Sequence, residues 1–183
     1  MSLIKLVAST LSLLVSFAIY ASEPQGLFGI KLGSNISHYI SKDYLDTNKY
    51  GSDESSSGFF SIEITEKIHN KSPFVDLYIV TIDSNNIIQG VLGIKSIKSL
   101  EICLAQQGNL EEVFVSKYQL NFEDYTRDYP TFKTHSRYQN LDNGDYLSLQ
   151  CHLNYDDNSV WSQVYIYSKK RGEDIEAYYD SGI

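Results

Sequence analysis

Cysteine, proline and cationic side chains are all scarce in this chain, and each shortage narrows what it can be. Of 183 residues, two are cysteine, three are proline and one is tryptophan. Lys and Arg number 15 against 23 Asp and Glu, a net charge of −8. That balance lacks the basic footprint nucleic acid requires and suits anionic lipid poorly. The four histidines, His38, His69, His135 and His152, are scattered, with no HExxH and no i, i+4 pair. The sequence therefore supports no metal site. There is no Gly-x-Ser-x-Gly elbow and no Gly-Lys-Ser/Thr phosphate loop. The acid pairs Glu111-Glu112 and Asp156-Asp157 read as a helix surface and a hairpin turn, and Asp142-Asn-Gly-Asp145 as a turn, not a calcium loop. On these grounds we expect no enzyme and no cofactor.

One long uncharged run is present, at the N-terminus. Lys5 precedes Leu6–Phe17, which carries no charge, and Ala21 and Ser22 stand before Glu23 and Pro24. Residues 1–21 read as a cleaved secretory signal peptide, with the product beginning at about Ser22. The run is short of the roughly 20 apolar residues a bilayer span needs and is broken by serines, so no stable membrane span is expected once it is cleaved. No cysteine lies near the cleavage point to take a lipid. The expected location is periplasmic or secreted, with residues 22–183 as a single domain. In that compartment Cys103 and Cys151 are expected to form a disulfide, worth roughly 4 kcal/mol on the chain-entropy model.

Periodicity divides the remainder. Residues 59–66 alternate, with Phe60, Ile62 and Ile64 against Ser61, Glu63 and Thr65, as a half-buried strand does. Segments 74–82 and 87–95 are β-branched and joined by Asp83-Ser-Asn-Asn86, which predicts a hairpin with Val75, Leu77 and Ile79 on the face of Leu92 and Ile94. From Ile97 the period lengthens. Leu100, Cys103, Leu104, Leu110, Val113, Phe114 and Tyr118 predict an amphipathic helix with Cys103 on its buried stripe. Gly108-Asn109 followed by Glu112 predicts a break into two shorter helices. Residues 121–131 read as a loop, followed by strands at 132–139, 145–154 and 159–168. Upstream, 27–32 reads as a strand, Ile36–Ile40 as a short helix, and 49–58 as an acidic loop. The pattern is α+β, an antiparallel sheet with helices packed on one face, with a rhythm of strand, helix and three strands occurring in 27–95 and again in 87–168.

Closing the last hairpin at Tyr155–Asn158 pairs Leu153 with Val160, Leu149 with Val164 and Leu147 with Ile166, and puts Cys151 on that apolar face. The opposite face then holds Tyr146, Ser148, Gln150 and His152 across from Tyr167, Tyr165, Gln163 and Trp161, with no carboxylate and no lysine. Tyr and Trp give rigid contact area at low entropic cost. The candidate binding face is therefore Tyr146, Gln150, His152, Trp161, Gln163, Tyr165 and Tyr167. Its expected partner is another protein, with a saccharide as the second choice. Strands also favour Tyr and Trp for their own sake, and the C-terminal segment with Tyr178 and Tyr179 offers a second layer that would cover the face.

Gly33-Ser-Asn-Ile36 after a strand, the aromatic face around Trp161 and the doubled unit over 27–168 resemble the β-lactamase-inhibitor-protein type of architecture. That resemblance implies an exported protein that binds a target protein across a concave sheet. The family carries a disulfide in each unit, where this chain can form one. The chain is also similar to small exported bacterial proteins with a helix-to-strand cysteine pair. The expectation is a monomeric or weakly associating non-catalytic binding protein of inhibitor or immunity type, acting on an envelope enzyme. A structural component of the cell envelope is the alternative, and a small hydrolase a more distant one.

Overall fold

The computed structural model describes residues 22–51, 58–68 and 71–180, with the side chains of 178–180 excepted. The expected signal segment 1–21, the middle of the acidic loop, His69 and Asn70, and the side chains of Tyr178 and Tyr179 lie outside the described residues.

Alternating segments fold as their period requires. A two-residue hairpin, β1 (Gly26–Leu27) and β2 (Ile30–Lys31), turns through Phe28 and Gly29, both at positive φ. A 3-10 turn at Ile36–His38 follows, capped by the Asn35 side chain. Next comes helix α1 (Lys42–Asn48), whose N-terminus is capped by Ser41 Oγ. The strands β3 (Tyr50–Gly51), β4 (Phe59–Glu63), β5 (Leu77–Asp83) and β6 (Ile88–Ile97) form an antiparallel meander. Helix α2 (Leu100–Tyr118) then leads into a second meander, β7 (Glu123–Asp128), β8 (Phe132–Asn140), β9 (Tyr146–Asn154) and β10 (Val160–Tyr167). Helix α3 (Lys169–Asp180) ends the described chain. The last strands of the two meanders, β6 and β10, pair antiparallel, so one eight-stranded sheet runs β3-β4-β5-β6-β10-β9-β8-β7. The fold is α+β, and each half is a helix followed by four strands, one more than the rhythm of the sequence suggested.

One sheet face makes the core. Ile62, Val80, Ile82, Ile88, Val91, Leu147, Leu149 and Ile166 are buried there beneath α2 and the N-terminal hairpin. Fully burying such a side chain is worth about 2 kcal/mol. Gly93 is on this face because a Cβ would meet Val75 Cγ2 at 2.7 Å and the Phe28 ring at 2.8 Å. Val75 thus packs on the core side, not with Leu77 and Ile79. Those two are paired with Ile94 and Leu92 on the other face, as expected.

Helix α2 runs unbroken through Gly108-Asn109. The expected break is overridden by tertiary anchors on either side. Gln107 is buried and donates to the carbonyls of His135 (3.0 Å) and Leu149 (2.8 Å), and Glu111 is paired with Arg137. Those contacts offset the ~1 kcal/mol that a mid-helix glycine costs. In the first turn of α2 the Cys103–Cys151 disulfide is formed, with Cα atoms 5.9 Å apart. It sits in a small cluster with Ile97, Val160, Leu100, Leu104 and Leu153.

Residues 123–128, read as loop, form β7. Pairing outweighs their polarity. Arg137 binds Asp124 (3.0 Å), Tyr138 donates to Glu123 (2.8 Å), and Thr126 contacts His135 Nδ1 (3.1 Å). Among the described residues no helix is long and apolar enough to cross a membrane.

Candidate functional site

Parity places the candidate residues. The β9–β10 register sets Tyr146 opposite Tyr167, Ser148 opposite Tyr165, Gln150 opposite Gln163 and His152 opposite Trp161. β8 continues the same rows with Tyr138, Ser136, Thr134 and Phe132, and β7 adds Glu123, Tyr125 and Arg127. All seven sequence-predicted residues therefore lie on one face, away from α2, and all seven line a single open trough of about 670 Å³.

The trough has internal order. At one end a ladder of rings crosses the strands: Tyr138 with Tyr146 (centroids 5.7 Å apart), Tyr146 with Tyr165 (5.9 Å), and Tyr165 with Tyr167 (4.6 Å). At the other end Tyr129 stacks on Phe132 (4.3 Å), Phe132 approaches His152 (6.2 Å), and His152 stacks on Trp161 at 4.8 Å with planes 9° apart. Between the ladders lies a polar row of Ser136, Gln150 and Gln163, flanked by Tyr125. Gln150 Nε2 donates to the Tyr165 hydroxyl (2.8 Å). Among the described residues lining the trough there is no carboxylate. Its one cation, Arg127, lies 4.8 Å over the Tyr129 ring.

The face is not uniformly open. His152 and Tyr165 are buried, at 7 % and 8 % exposure, while Tyr146, Gln150, Trp161, Gln163 and Tyr167 are half-buried. Burial drives the His152 pKa down from 6.5 to about 4, against an opposing polar contact from Gln163, so the ring is neutral near pH 7. Its Nδ1 is 2.9 Å from Thr134 Oγ1, and its Nε2 is buried with no partner in hydrogen-bond geometry. Burial, then the neighbouring Tyr167 and Tyr146, hold the Tyr165 phenol well above its usual range. Burial raises Tyr146 as well. The hydrogen bond to Glu123 does the same for Tyr138. These hydroxyls stay protonated and remain donors.

Helix α3 closes the tyrosine end, with Ile175 lining the trough. It lies on this face, whereas α1 and α2 pack on the core side. A polar knot holds it. Asp83, 5 % exposed, accepts from the backbone of Asn85 and Ile87, from Gln89 Nε2 (3.1 Å) and from Lys170 Nζ (3.0 Å). Ser168 donates to Gln89 Oε1 at 2.6 Å. Burial alone would raise the Asp83 pKa, but Lys170 and the two amides together bring it below its ordinary value. Lys170 and Arg171 also lie over the Phe59 ring.

The seven residues inferred from sequence are about half of the lining. Tyr125 and Arg127 were missed because 121–131 was read as a loop, and Phe132, Thr134, Ser136 and Tyr138 because the strand read at 132–139 was not set in register against its neighbour. The alternation Glu123-x-Tyr125-x-Arg127 was the available signal. The other two described histidines are apart from the trough: His135 faces the core side of the sheet opposite Cys151, and His38 is exposed in the 3-10 turn. Among the described residues, no three His, Cys, Asp or Glu side chains come together to hold a metal ion. The chain matches no model of a known protein family, and no curated protein matches it.

Proposed function

We propose that this chain is an exported, non-catalytic binding protein that captures another protein on the trough face of β7–β10, as an inhibitor or immunity-type partner of a basic envelope enzyme. The observation that carries this reading is the composition of the trough. Two aromatic ladders flank a row of carboxamides and hydroxyls, with no carboxylate among the described lining residues, in a chain of net charge −8. Rigid aromatic rings around adaptable amides are the make-up of interface hot spots. Acids stand at the margins instead, with Glu123 on β7 and Glu173 and Glu176 on α3. An uncharged centre inside an acidic rim suits a partner with an uncharged centre and a basic rim, and the rim charges would raise the rate of encounter. The Cys103–Cys151 bond supports an oxidising compartment, in line with the signal-peptide reading of residues 1–21.

The test is capture from an envelope extract beside a Trp161→Ala/Gln163→Ala variant. Both side chains are half-buried on the trough floor and Trp161 stacks on His152, so the variant's circular dichroism and urea midpoint are read first to show that it is folded. Losing a hot-spot tryptophan costs about 2 kcal/mol or more, roughly thirtyfold in affinity. A stoichiometric partner retained by the wild type and lost by the variant is expected. A partner held equally by both would remove the trough from the interface.

A further inference from the structure

We propose that β7 is a pairing edge, through which two copies of this chain join into one continuous antiparallel sheet. The two ends of the eight-stranded sheet differ. Among the described residues, β3 closes one end with two, Tyr50 and Gly51. β7 closes the other with six residues, every one of them exposed. Its ladder with β8 is regular from Glu123 to Asp128 and contains no proline. Brevity, a bulge and a proline are all missing from β7; it carries four charged side chains, which blunt an edge when they repel, but they are of both signs.

Its charges are arranged to complement themselves. Glu123, Tyr125 and Arg127 share the trough face, and Asp124, Thr126 and Asp128 share the other. A twofold axis normal to the sheet keeps each face on its own side, so it can pair only residues of like face. Centred on Tyr125, it sets each Glu123 opposite the second copy's Arg127 and the two Tyr125 rings, 51 % exposed, against each other. Asp124 then falls opposite Thr126. Centred on Thr126, the axis would set Asp124 opposite Asp128 twice. Centred on Asp124, it would set that carboxylate against its own copy. Opposite charges across strands stabilise and like charges destabilise, so the register centred on Tyr125 is selected.

Existing contacts are compatible with this pairing. Glu123 uses Oε2 to accept from Tyr138, which leaves its other oxygen for a cation. Arg127 lies over a ring, and a stacked guanidinium keeps its in-plane N–H groups for a carboxylate. The consequence reaches the trough. Tyr125 and Arg127 are its outer wall in one copy, and in the pair they become the middle of a surface twice as wide. The inference stands apart from the partner reading, since a failed capture experiment leaves it untouched.

Sedimentation equilibrium on the purified chain, from micromolar to near-millimolar concentration, tests it. The wild-type mass should rise toward twice that of one chain. Arg127→Glu sets carboxylate against carboxylate and should stay at the single-chain mass throughout. Glu123→Arg combined with Arg127→Glu reverses both ion pairs and should restore the doubling. Should the double variant fail to fold by circular dichroism, Tyr125→Lys decides, because it places two ammonium groups at the axis and should abolish pairing. A wild type of single-chain mass at every concentration would overturn the proposal. So would doubling that survives Arg127→Glu or Tyr125→Lys, or a folded double variant that remains single.

Discussion

Replacing His152 by asparagine should remove much of this fold's sensitivity to acid. The imidazole is 7 % exposed, stacked on Trp161 and bonded through Nδ1 to Thr134, and burial takes its pKa from 6.5 to about 4. In the unfolded chain the ring takes its proton near pH 6.5, whereas in the native protein it does so near pH 4. Between those values the unfolded state binds more protons, so stability falls as pH drops below 6.5. The contribution is complete above that value and gone once pH is below about 4. The gap between the two pKa values corresponds to roughly 3 kcal/mol. Whole domains are stable by only about 5–15 kcal/mol, so the loss would be a large share of the total.

Urea unfolding of wild type and His152→Asn, at steps from above pH 6.5 down to about pH 4, isolates this effect. Asparagine keeps a polar atom near the position of Nδ1 for Thr134 and does not titrate. Other groups act alike in both proteins. His135, whose pKa is lowered by burial and then by Lys133, adds acid sensitivity of the same sign to each. Asp83 is held below the ordinary carboxylate value of 3.8, so its contribution is lost only at still lower pH. The wild type should start more stable and lose roughly 3 kcal/mol of its lead across the window. Parallel curves would show that the ring is not held neutral, and the argument from burial would fail.

Two further predictions follow from the core side. Reducing Cys103–Cys151, whose partners are 48 residues apart, should lower unfolding free energy by about 4 kcal/mol, read from urea midpoints with and without reductant; an unchanged midpoint would mean that the cluster around the bond holds α2 to β9 unaided. Gln107→Leu should cost about 1–2 kcal/mol, because the carbonyls of His135 and Leu149 lose its amide, and hydrogen exchange should quicken in the middle of α2 next to Gly108.

What the sequence discloses here, and what it hides, divides along locality. The β9–β10 register is legible because it needs only a turn at 155–158 and a period of two, and every pair read that way is present. The disulfide is legible for the same reason, since helix period and strand parity independently turn Cys103 and Cys151 to one side. β7 is not legible, because Glu-Asp-Tyr-Thr-Arg-Asp has the composition of a loop and becomes a strand only through Arg137, Tyr138 and His135 on its neighbour. The unbroken α2 is hidden likewise, its anchors being contacts with strands and not helix propensities. The depth of the trough is the subtlest case. His152 and Trp161 are equivalent in parity and face each other across the hairpin, yet the first is buried and the second half-open. Parity assigns a face, but burial depends on which strands stand on either side. β9 is flanked by β8 and β10, so Thr134, Phe132 and Trp161 surround His152, whereas Trp161 looks toward Ser96 of β6 on its other side. A small residue on the next strand is what leaves the tryptophan half-open, and that adjacency of β6 and β10 is a property of the joined halves that neither hairpin contains.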